Sequence, residues 1–137
     1  MTEEVIIHCD GASRGNPGEA GIGYIIESTS GVPLKEECDY LGQATNNVAE
    51  YTALVRALQD SLKLGAKRVQ VYADSELMVK QIKGEYRVKN QGLAPLYQQA
   101  AGLLGKFESY TIAYVPRKEN RTADALANKG IDAALTK

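Results

Sequence analysis

The chain has no tryptophan, a single phenylalanine, a single histidine and two cysteines. Each scarcity removes something. Cys9 and Cys38 lie in apolar or alternating segments with no CxxC spacing, so two free thiols in a reducing compartment are the simplest account. Eight tyrosines replace the other aromatics; most fall at positions expected to face a core, and no base-stacking platform is read from them. Charge of one sign is missing too. The net charge is −1, so a polyanionic partner would have to be met by a local basic patch or by metal ions. No apolar run approaches the length of a membrane span, and the start, MTEEV, is acidic. The expectation is a soluble, cytoplasmic protein.

What is present is enough for one core. A length of 137 residues with 44% hydrophobic content suits one domain, read here as residues 1–137. Val5 to Asp10 reads as a strand apolar on both faces, Ile22 to Glu27 as a second, and Leu34 to Tyr40 as a third with one wet face. Thr45, Asn46 and Asn47 are all suitable helix caps. After them Val48, Tyr51, Val55, Leu58 and Leu62 repeat at helical spacing until Gly65. Arg68 to Asp74 is a further strand, Ser75 to Lys83 a short helix closed by Gly84, and Pro95 opens a helix with a wide apolar face. Tyr110 to Val115 is the last strand. A final helix runs from Asn120 to about Ala134, burying Ala123, Leu126 and Ala127. The order β-β-β-α-β-α-α-β-α points to an α/β fold: a five-stranded mixed sheet, three antiparallel strands then two parallel, with helices on both faces.

The stretch that organises the chain is Asp10 to Gly18, DGASRGNPG, which follows directly on the first apolar strand. An aspartate there places a charge where the chain is expected to leave the sheet, the edge at which open α/β sheets hold ligands. Asp74 also ends a strand. If the two strands are parallel neighbours, roughly 4.8 Å apart, their carboxylates repel unless a proton or cation lies between them. Glu50 and Asp124 occupy the first turns of two helices. Taken singly, Asp74 reads as a helix cap, Glu50 as half of a capping box with Asn47, and Asp124 as a complement to its helix dipole. Asp10 resists such a reading, because a charge beside a buried strand is costly without a partner. Four carboxylates with no His or Cys companions suit Mg²⁺ or Mn²⁺ rather than zinc.

The blocks DGASRGNPG, TNNVAEY, YADSE and NRTADALA, in that order, resemble the four blocks of type 1 ribonuclease H. The resemblance implies a ribonuclease H-like fold and hydrolysis of the RNA strand of an RNA/DNA hybrid by a two-metal-ion mechanism, leaving 5′-phosphate and 3′-hydroxyl ends. It makes Asp10 the carboxylate that bridges two Mg²⁺ ions, with Mn²⁺ as the alternative ion. Asp124 becomes the ligand of the ion that activates water, and Glu50 and Asp74 become ligands of the other. It also assigns Gly11, Ser13, Gly15, Asn16 and Asn47 to the RNA side, and Thr45 and Asn46 to DNA-strand phosphate. Glu76 stands where some relatives place a neutral amide near the RNA, and double-stranded RNA is the alternative substrate.

Four departures from the family's common pattern stand out. Many members carry a histidine in the loop before the last aspartate; here that loop reads Val115 to Asn120, and Arg117, Lys118 and Glu119 are the candidates for its part. His8 lies in the first strand. The basic run Lys80 to Lys89 is modest beside the family's large protrusion and is read as a nucleic-acid contact. Glu76 in place of a neutral amide is the third departure, and the fourth is the expected lack of a separate amino-terminal hybrid-binding domain. The Met1 start and the short tail after the last helix favour a free-standing monomer over a piece of a polymerase.

Overall fold

The structure, a computed structural model, describes residues 3–136. Three strands come first: β1 (Glu4–Gly15), β2 (Gly18–Ser28) and β3 (Pro33–Ala44), paired antiparallel. Helix α1 (Asn46–Lys63) then carries the chain to β4 (Arg68–Ala73), which lies parallel to β1. Helices α2 (Glu76–Ile82) and α3 (Ala94–Leu104) lead to β5 (Ser109–Tyr114), parallel to β4. A single 3₁₀ turn, Arg117–Glu119, precedes α4 (Arg121–Leu135). The sheet order is β3-β2-β1-β4-β5, the mixed arrangement expected from the element order.

The glycine block departs from its expected form. Its glycines and proline suggest a loop after Asp10, yet β1 runs on to Gly15 and β2 begins at Gly18, with pairs from Asp10↔Gly23 to Gly15↔Gly18. The ladder across the hairpin satisfies the backbone groups, and that outweighs the turn-forming composition. Only the short link Asn16–Pro17 turns the chain, helped by Gly15 at φ 122°. Pairing of β1 with β4 stops at Cys9↔Ala73. Asp10 is therefore inside a strand, at the residue where its parallel neighbour departs.

The core forms where α1 lies on the sheet. Tyr51, Leu54 and Leu58 of α1 are fully buried against Val5, Ile7, Val69 and Val71. Burying each such side chain contributes about 1.5–3 kcal/mol. Tyr51 also donates a hydrogen bond to Gln81 Oε1 at 2.6 Å, tying α1 to α2. The opposite face takes α4, and here the glycines decide. A Cβ on Gly23 would stand 2.4 Å from the Ala127 nitrogen, and one on Gly21 would stand 2.5 Å from the Ala127 oxygen. Gly130 returns the fit, since its Cβ would meet the Asp39 oxygen at 2.4 Å. Helix and strands touch backbone to backbone.

Several expected details change. The third strand extends past Tyr40 to Ala44, and the 3₁₀ turn had no signal in the periodicity. In α4, Ala123 and Ala127 are buried as expected, but Leu126 is half-buried while Gly130 and Ile131 are buried. The small residues face the sheet because the approach is so close. Tyrosine is also less interior than expected: Tyr40, Tyr86, Tyr110 and Tyr114 are exposed, because the edge strands β3 and β5 and the α2–α3 connection leave them uncovered. Among the described residues, no helix is long and apolar enough to cross a membrane.

The close seat of α4 yields a paired test. Gly23→Ala should destabilise the protein by about 1–3 kcal/mol through overpacking. Gly102→Ala, in α3 with nothing near its added Cβ, should stabilise by up to about 1 kcal/mol. Urea denaturation of both variants reads the two signs.

Candidate active site

The middle of one strand, the end of another and the second turn of a helix build the site. Asp10 sits on β1 and is 1% exposed, and Asp74 follows directly on β4. Glu50 lies on the inward face of α1, 3% exposed. Carboxylate oxygens of these three residues all fall within 4.8 Å of one another. The parallel register that places Cys9 opposite Ala73 brings the next residue of each strand, Asp10 and Asp74, into the same opening.

The alternative structural roles of these acids are taken by other residues. Ser75, not Asp74, caps α2 by accepting from Met78 N at 3.2 Å. Thr45 caps α1, accepting from Val48 N at 3.2 Å, while Glu50 turns away from the capping-box position. Its Oε1 accepts the Gly11 N–H at 3.2 Å. Gly11 is required for that contact, because a Cβ there would stand 2.2 Å from the Ala49 carbonyl carbon. The structure thus places Gly11 against α1, where it orients Glu50.

Four carboxylate oxygens are then left over. Both oxygens of Asp10, Oε2 of Glu50 and Oδ2 of Asp74 are buried without a hydrogen-bond partner among the described residues. Buried acceptors without donors are rare, and these point at one another. Two full charges 4.8 Å apart repel by about 3 kcal/mol even at an effective dielectric of about 20. Burial first, and then Glu50 and Asp74 beside it, push the Asp10 carboxyl far above the usual carboxylate range. Glu50 is raised as well, chiefly by burial, with the charge of Asp74 adding and the Gly11 N–H opposing. A set of hard, orphaned oxygens fits a divalent cation that prefers oxygen ligands.

Asp124 stands apart from this cluster. Its side chain is 30% exposed at the first turn of α4, and it is joined to the others through Arg117, whose Nε lies 4.0 Å from Asp124 Oδ1 and 3.9 Å from Asp74 Oδ2. Of the three loop candidates, Arg117 is the one in contact with the carboxylates. Its own side chain is 75% exposed. Asn120 carried no signal in the sequence beyond a cap-type residue before a helix. It is 2% exposed, and its Nδ2 donates to the Cys9 carbonyl at 2.9 Å, directly behind Asp10.

Most of the expected substrate-side residues gather at the hairpin tip and the adjoining start of α1. The Ser13 hydroxyl lies between two carbonyls, donating to that of Ala44 at 2.8 Å or to that of Gly15. Asn16 Oδ1 accepts the Asn46 N–H at 3.1 Å, so the tip is latched to the start of α1. Asn46 is exposed, Asn47 half-buried, and Glu76 exposed at the first residue of α2.

The carboxylate cluster has a thermodynamic consequence without metal. A folded-state pKa above the ordinary 3.8 of Asp10 or 4.5 of Glu50 means that the native state holds protons the unfolded chain releases. Stability therefore falls as pH rises above those values. In chelator, the melting temperature should drop from about pH 5 to pH 8. Asp10→Asn should flatten that slope and raise the pH 8 melting temperature by about 5–10 °C, as scanning calorimetry would show.

Comparison with known proteins agrees with this geometry. Residues 8–130 match the family described as "Reverse transcriptase-like". A bifunctional protein of Mycobacterium tuberculosis is 45% identical over 132 residues, covering 96% of this chain and 36% of that protein, so the chain spans about a third of that relative's length. A ribonuclease H of Cupriavidus pinatubonensis is 34% identical over 146 residues, covering 94% of this chain and 96% of its own. The crystal structure of LC11 ribonuclease H1 in complex with an RNA/DNA hybrid superposes with a TM-score of 0.91 at 43% identity, covering 96% of this chain and 99% of that one. With that fold and that extent of match, the chain belongs to the ribonuclease H family.

Proposed function

We propose that this protein hydrolyses the RNA strand of RNA/DNA hybrids at the Asp10, Glu50, Asp74 and Asp124 site, leaving 5′-phosphate and 3′-hydroxyl ends. The observation that carries this reading is the set of four buried, partnerless oxygens on three carboxylates within 4.8 Å of one another. Mg²⁺ or Mn²⁺ ions held there would activate a water as the nucleophile and neutralise the leaving 3′ oxygen. In this reading Asp10 would be common to both ligand sets, with Glu50 and Asp74 in one and Asp124, on the more open side, in the other.

The remaining residues bind and orient. Thr45, Asn46 and Asn47 form the start of α1, where exposed N–H groups suit a phosphate of the DNA strand. Two of those donors are already engaged: Asn16 holds the Asn46 N–H and Thr45 holds the Val48 N–H. Ser13, Gly15 and Asn16 form the neighbouring hairpin tip, a surface for the 2′-hydroxyls that distinguish RNA from DNA. Gly11 acts behind them by orienting Glu50. Arg117, facing both Asp74 and Asp124, takes the part of the loop histidine found in many relatives. It offers a positive charge to the phosphate as the bond breaks. Residues 1–137 act as one domain, a monomer working in the cytoplasm.

A strand-labelled assay on hybrid, double-stranded RNA and DNA, with each divalent ion in turn, tests the reading. Only the RNA of the hybrid should be cut, and chelator should stop it. Substantial cutting of double-stranded RNA would move the substrate class, to which exposed Glu76 is the first residue to test. Binding without turnover at any metal concentration would instead leave a non-catalytic binder. Asp10→Asn should lower kcat by about 1,000-fold or more, equivalent to about 4 kcal/mol of barrier. Arg117→Ala should lower kcat by about 10–100-fold with hybrid KM little changed, whereas Lys118→Ala and Glu119→Ala should stay near wild type in the same assay.

A further inference from the structure

Asn120 occupies the N-cap of α4, where an asparagine side chain ordinarily accepts a hydrogen bond from one of the first helical N–H groups. It makes no such bond among the described residues. Its Nδ2 reaches instead to the carbonyl of Cys9, 111 positions earlier, at 2.9 Å. Its Oδ1 is buried with no partner among the described residues, a further cost to stability. The side chain has given up the role its position offers. What it gains is a connection: Cys9 directly precedes Asp10, and the main-chain oxygen of Asn120 accepts the Asp124 N–H at 3.0 Å.

One residue therefore grips the strand that carries Asp10 with its side chain and the helical turn that carries Asp124 with its backbone. The other polar tie between β1 and α4 runs from Arg14 to Asn128 and Asp132, one and two turns further along the helix. That tie lies beyond Asp124 and does not hold the turn that carries it. Asp124 is also outside the tight cluster of Asp10, Glu50 and Asp74, so its approach to Asp10 depends on where α4 begins.

We propose that Asn120 is a positioning residue that sets the separation of Asp10 from Asp124, and through it the binding of the divalent cation those two carboxylates share. The inference rests on the two-cation reading of the site given above. Residues behind metal ligands typically alter metal affinity or activity about 10–100-fold when removed.

Asn120→Ser separates the two roles, since serine is a good N-cap but too short to reach the Cys9 carbonyl. In metal-free buffer this variant should still fold and melt close to wild type, since the helix cap it gains offsets part of the lost tie to the Cys9 carbonyl. The Mn²⁺ concentration for half-maximal cleavage should rise about tenfold, with kcat reduced and hybrid KM within about twofold of wild type. The rise in melting temperature produced by Mn²⁺ should shrink, a readout independent of turnover. Asn120→Ala, losing both tether and cap capacity, should match the serine variant in metal dependence and melt lower. Wild-type metal dependence in Asn120→Ser overturns the inference. So does activity lost only in proportion to folded protein, or a serine variant that does not fold. A wild-type protein that neither responds to Mn²⁺ nor cuts hybrid would instead remove the two-cation reading itself.

Discussion

Mutual repulsion of three buried carboxylates is the constraint on which the rest of this molecule depends. Asp10, Glu50 and Asp74 come within 4.8 Å of one another at the end of the sheet, in surroundings that raise the proton affinity of Asp10 and Glu50. No fold arrives at such an arrangement for stability, because uncompensated buried charge costs free energy. The large apolar interface between α1 and the sheet offsets it, and the cluster sits at the margin of that interface.

The supporting contacts share one character: side chains that lock the pieces bearing the acids to one another. The Gly11 N–H holds Glu50 from below, and a missing Cβ lets β1 approach the α1 backbone closely enough to do so. Asn16 latches the hairpin tip to α1, and Asn120 joins the back of β1 to the start of α4. Arg117 spans Asp74 and Asp124 from the solvent side. The chain thus keeps buried hydrogen bonds behind the acids and leaves four of their oxygens without a hydrogen-bond partner among the described residues, which suits a site completed by cations.

Much of this was legible in the chain itself, and the parts that were not have identifiable causes. Alternation and helical spacing located all five strands and four helices, because burial of one face imposes those periods. They failed at the glycine block, where composition suggests a loop and cross-strand pairing makes a strand, and at α4, where close approach selects Gly130 and Ala127 for the sheet side over Leu126. Each acid was visible as a candidate from its place near an element end. The roles of Gly11 and Asn120 were not. Gly11 has contacts set by α1, and the hydrogen-bond partner of Asn120 lies 111 positions away.

By itself the sequence determined the kinds of elements, their order, the four acids as candidates and, through four ordered blocks, the family resemblance. All of these are written in local pattern. Only the tertiary structure decided that Asp10 lies within a strand, that three acids form the tight group while Asp124 stays outside it, and that Arg117 rather than Lys118 or Glu119 faces them. The reason is physical: separations of a few ångströms between residues far apart in the chain follow from strand register and helix seating, and those are properties of packed backbones that no single stretch encodes.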